Sequence, residues 1–161
     1  MAKAKRDGKK PTKKIKKTQA KITSRKKAGS SNILVGLPET DNTTLNTLYI
    51  IDGSDNDISL EVNAGAEGQT SDMTIKLNNS IVTENLSGDF VETALGTNKS
   101  LNGKKLNIVA TIADTSRETN FTSLTIHLKG GTGPADFPLS KAVEEEGGSV
   151  DYLCIIEFFR P

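Results

Sequence analysis

A chain of 161 residues with 34% hydrophobic and 4% aromatic content has the size of one domain, and its single cysteine excludes an intrachain disulfide framework or a cysteine-built zinc site. No apolar run approaches the roughly 20 residues needed to span a bilayer. The net charge of +1 conceals two regions of opposite sign: residues 1–28 hold thirteen Lys and Arg against one acid, a charge of +12, and residues 29–161 hold eight against nineteen, a charge of −11.

The basic region comes first. Its cations are Lys3, Lys5, Arg6, Lys9, Lys10, Lys13, Lys14, Lys16, Lys17, Lys21, Arg25, Lys26 and Lys27, and its only large apolar residues are Ile15 and Ile22. Such a segment cannot bury a core, and like charges at i,i+4 spacing repel in an isolated helix, so a solvated arm is expected. No apolar h-region follows it, Ala2 removes the myristoylation signal, and the C-terminus has no prenylation box. The expected location is intracellular, with a virion as the other setting. Residues 28–32, AGSSN, read as a linker, which divides the chain into an arm and linker over 1–31 and a folded domain over 32–161.

The remainder reads as short strands separated by turns. ILVGLP at 33–38 suggests a first edge strand, ended by Pro38, and LNTLYII at 45–51 a better one. ISLEV at 58–62 alternates, with Ile58, Leu60 and Val62 on one face. MTIKL at 73–77 repeats the pattern, and a further β-prone run surrounds Ile81 and Val82. Residues 92–105 read as connection with at most a short strand or helical turn. LNIVATIAD at 106–114 turns Leu106, Ile108, Ala110 and Ile112 one way, and FTSLTIHL at 121–128 does the same with Leu124, Ile126 and Leu128. The intervening TSRETN suggests a hairpin. Gly- and Pro-rich residues 129–138 read as irregular, followed by a strand near 137–143 (a short helix at 139–146 competes), a turn at EEEGG and a final strand over 149–159. That last strand is apolar on both faces, which calls for a central or doubly covered position. Seven to nine strands without a sustained helical period predict an all-β fold, an antiparallel β-sandwich of immunoglobulin-like or jelly-roll type.

Sites of chemistry are sparse. Asp52, Asp55 and Asp57 raise calcium binding, but neither register of the loop supplies the glycine and glutamate of an EF-hand, so an acidic turn is the better reading and a non-EF calcium site stays open. Glu144, Glu145 and Glu146 read as a solvated turn. His127, the only histidine, alternates away from the core positions, and no nucleophile motif or phosphate-binding glycine loop accompanies it. Cys154 lies in an apolar run and reads as an inert buried thiol. The chain is therefore expected not to be an enzyme and to carry no cofactor.

The arm is the distinctive feature. Its lysines suit phosphate neutralisation, and the absence of aromatic residues before Tyr49 removes base stacking, so binding to nucleic acid or another polyanion without sequence preference is expected. The β-domain would then contact a protein partner or a second copy. In organisation alone, a lysine-rich arm followed by a β-sandwich resembles small viral coat proteins. That resemblance implies an alternative: a self-assembling structural component of a virion, phage or injection machine, whose arm contacts packaged nucleic acid or neighbouring subunits. A sugar-binding module is disfavoured by the lack of Trp and the scarcity of aromatic residues.

Overall fold

The computed structural model describes residues 42–66, 69–116, 119–145 and 147–161. The expected arm, the linker and the strand at 33–38 lie outside the described residues. What is described belongs to one compact unit, Gly36–Pro161.

Among the described residues nine strands and one short helix follow each other: β1 (Asn42–Ile50), β2 (Asp57–Ala64), β3 (Gln69–Leu77), β4 (Ser80–Leu86), β5 (Phe90–Thr97), α1 (Asn98–Leu101), β6 (Lys105–Asp114), β7 (Phe121–Lys129), β8 (Ala135–Ala142) and β9 (Ser149–Phe159). They form a five-stranded sheet ordered β1-β9-β6-β3-β4 and a four-stranded sheet ordered β5-β2-β7-β8. Both sheets send alternate side chains into one hydrophobic cluster. Met73, Ile75, Leu106, Ile108, Ile112, Val150, Tyr152 and Ile156 come from the larger sheet, and Ile58, Leu60, Val62, Leu124, Ile126 and Leu128 from the smaller. The period-two pattern of β2, β6, β7 and β9 therefore lies where the sequence puts it.

Three expectations are corrected. The fold is not purely antiparallel: β1 and β9 run parallel, with Leu45 opposite Cys154 and Tyr49 opposite Phe158. Strands far apart in sequence need no tight turn between them, which frees their relative direction. Second, residues 115–120 do not close a hairpin, because β6 lies in the larger sheet and β7 in the smaller. The hairpins that do form are β3–β4, turning at Asn78 with φ of +51°, and β7–β8. Third, regular structure is more extensive than expected: the short strand and helical turn allowed within 92–105 both form, and a strand begins inside 129–138, read as irregular. β5 occupies 90–97 and passes into α1, whose first turn is capped by the Thr97 hydroxyl accepting from the Ser100 amide at 3.2 Å. β8 begins at Ala135 and tolerates Pro138 because it is an edge strand, paired only to β7.

The strand–loop junction at one end is closed by a buried amide. Asn98 Nδ2 donates to the carbonyls of Asn56 at 2.9 Å and Gly130 at 2.6 Å, and its Oδ1 accepts from the Asp52 amide at 3.2 Å. One side chain thus ties the β1–β2 loop and the β7–β8 turn to α1, and its polar atoms are satisfied where water is excluded. Beside it, Tyr49 packs edge-on against Phe158 with ring centroids 6.1 Å apart, and its hydroxyl donates to the Gly133 carbonyl at 2.8 Å. Among the described residues no helix is long and apolar enough to cross a membrane.

Candidate interaction surface

The thirteen arm cations named above lie outside the described residues. The acidic loop is described. Asp52 uses one carboxylate oxygen to accept from the Ser54 amide at 2.8 Å, and hydrogen bonds from Ser54 hold its carboxyl below the ordinary value. Asp57 opens β2, opposite Thr97. Among the described residues no three His, Cys, Asp or Glu side chains are grouped to hold a metal ion, so Asp52, Asp55 and Asp57 are not brought together as a ligand set. Glu144 and Glu145 sit exposed in the bend after β8.

The outer face of the four-stranded sheet is polar and internally paired. His127 Nδ1 donates to Asp136 Oδ1 at 2.7 Å, and His127 Nε2 accepts from Asn63 Nδ2 at 3.1 Å. This arrangement uses both ring nitrogens. Nε2, the atom that a nucleophile would approach, is occupied by an amide instead. Next to it Lys129 reaches Glu92 at 2.6 Å and Glu61 at 3.7 Å, and Ser59 donates to Glu92 at 2.8 Å. The Lys129 ammonium holds the Glu92 carboxyl low, and Glu92 in turn raises Lys129. These groups satisfy each other across three strands and leave little for a ligand.

The outer face of the five-stranded sheet is different. Cross-strand registers set Thr44, Leu153, Val109 and Thr74 in one row across β1, β9, β6 and β3. The next row is Asn46, Ile155, Asn107 and Lys76, and on the other side stand Asp151, Thr111 and Asp72. Leu48, Val109, Leu153, Ile155 and Phe159 on this face are 39% to 51% exposed. Between β6 and β9 the surface dips into a depression of about 220 Å³, walled by Asn107, Val109, Leu153 and Ile155 and floored by Ile108 and Cys154. Burial pushes the Cys154 thiol up to about 11, which keeps it protonated at neutral pH and inert as a nucleophile.

Sequence reading finds half of this surface. It places Leu153, Ile155 and Phe159 on a second apolar face of the last strand and calls for a central or doubly covered position, of which the structure takes the first. β9 is central within its sheet, between β1 and β6, and the described residues leave the outer face open. Val109 and Leu48, which complete the strip, are single apolar residues at outward positions. Their only sequence signal is that they break the alternation.

Compared with protein-family profiles, curated proteins and solved structures, the chain matches none.

Proposed function

We propose that the protein is a non-enzymatic binding module in which the Lys-rich arm, residues 1–31, engages a polyanion and the β-domain, residues 32–161, makes protein contacts. The observation that carries this reading is charge segregation, with +12 over residues 1–28 and −11 over the rest. Nucleic acid is the polyanion of best fit, bound through its phosphates and without sequence preference. The paired polar face around His127 and the apolar strip around Leu153 support contact over chemistry. The β-domain is read as a sandwich of immunoglobulin-like type. Its five-plus-four division matches a variable-type domain better than a jelly roll of eight strands.

The test is binding of mixed-sequence duplex DNA by the full chain across a salt series, beside a full chain with its thirteen arm cations changed to glutamine. With about 8 phosphates contacted, the log–log slope is expected near −7, and the neutral arm should abolish binding. Equal binding by both chains, or none by either at low salt, would overturn the reading.

A second reading, a self-assembling structural component, draws support from the exposed apolar strip on the five-stranded sheet.

A further inference from the structure

We infer that the outer face of the five-stranded sheet is the surface on which a second copy of this chain stacks, turned end for end about the Leu153–Val109 row. The inference deepens the β-domain half of the proposed function and requires nothing of the arm.

Charge distribution on the face selects the occupant. Residues 29–161 carry −11, so this region of one copy repels the same region of another over most of its surface. Across β1, β9, β6 and β3 the outer face carries Asp72, Asp151 and Glu157 against Lys76 and Lys105, a balance of −1. Lys105 is already paired with Glu157 at 3.5 Å. Asp72 and Lys76 make no ion pair among the described residues.

These two side chains also fix the direction of approach. They lie four residues apart on the outer face of β3, about 13 Å along the strand, with Thr74 midway. Thr74 is level with Val109 and Leu153. A two-fold axis lying over that row and perpendicular to the strands brings Lys76 of each copy over Asp72 of the other. The same operation stacks Leu153 and Val109 on their counterparts. A two-fold axis along the strands would leave both lysines without acids. Isologous contacts of this kind satisfy every pair twice.

Area sets the strength. Four strands about 4.8 Å apart and seven residues long project roughly 450 Å². A standard interface buries about 800 Å² per partner, so the expected dimer is weak and forms by mass action.

Sedimentation equilibrium of the nuclease-treated full chain, from about 1 μM to about 300 μM, tests it. The mass should rise from one chain toward two. Leu153→Glu and, separately, Val109→Glu should hold it at one chain while far-UV circular dichroism and the melting transition stay in place. Lys76→Glu sets acid against acid and should weaken the dimer about fivefold or more, and Asp72→Lys with Lys76→Glu should restore it, because the swap preserves complementarity in this orientation alone. Three results would overturn the inference: one-chain mass throughout, a dimer indifferent to Leu153→Glu, or equal weakening by the single and double charge changes. The readout is mass in the absence of nucleic acid, so a failure of polyanion binding by the arm leaves this result standing, and the converse holds.

Discussion

Thr122 Oγ1 and Tyr152 OH lie 2.8 Å apart in the buried interior, joining β7 of the smaller sheet to β9 of the larger. Thr122 also points its hydroxyl at the Lys141 carbonyl, 3.3 Å away. With the Thr122 proton on that carbonyl, Tyr152 donates and Thr122 accepts. The two removals should therefore differ. Thr122→Val leaves the buried phenol only its backbone contact at Lys141 and should cost about 2 kcal/mol, whereas Tyr152→Phe leaves Thr122 a partner and should cost about 1 kcal/mol. Urea unfolding of both variants and the double variant measures the coupling.

The Asn98 amide should be irreplaceable. Asn98→Asp keeps its size but removes the donor, leaving the Asn56 and Gly130 carbonyls facing a carboxylate. A loss of about 3 kcal/mol or more is expected, exceeding that of Asn98→Ser, which keeps a donor. Equal midpoints for the two variants in urea would show that the two loops do not depend on the amide.

Glycines in the β7–β8 turn should separate sharply. Gly130 has φ of +94°, and a β-carbon there would run into the Asp57 carbonyl oxygen. Gly133 has nothing within 4 Å of that position. Gly130→Ala should lower the melting temperature severely, because backbone rather than a movable side chain must give way, and Gly133→Ala should be near neutral. Thermal melts followed by circular dichroism decide it.

Stability should fall on the alkaline side. Burial pushes the Cys154 thiol from its ordinary 9.0 up to about 11, and burial also raises the phenols of Tyr49 and Tyr152 above 10.0. Below pH 9 these groups are neutral in both folded and unfolded chains, and the full stability is present. Above it the unfolded chain releases protons that the folded chain retains, so the unfolding free energy declines as pH climbs from about 9 through 11. Each such proton contributes a slope of about 1.4 kcal/mol per pH unit. Cys154→Val should flatten the onset near pH 9, read from urea midpoints across the series. The same burial predicts that Cys154 resists alkylation at pH 7 until the chain is unfolded.

Where the sequence is legible, it is legible through alternation. Ile58, Leu60 and Val62, or Leu106, Ile108 and Ala110, declare an inward face because a strand reverses its side chains at every residue. The same alternation is silent on neighbours. β6 and β7 have matching patterns, and nothing in them shows that the six residues between cross from one sheet to the other. Polar residues that end inside, such as Asn98 and Thr122, look like loop and surface residues until their partners are known. β5 is legible only as a short strand somewhere in a connection, because its apolar positions are few and its neighbours are Thr, Glu and Gly.

The sequence by itself determined the division of charge, the all-β character and the inward faces of the principal strands. These are properties of composition and of period-two geometry, which need no knowledge of distant contacts. Tertiary structure alone decided which strands pair, that β1 and β9 run parallel, and that the second apolar face of β9 joins Val109 and Leu48 in an open strip. Each of those depends on residues separated by dozens of positions meeting in space, and a local pattern carries no record of which partner it will meet.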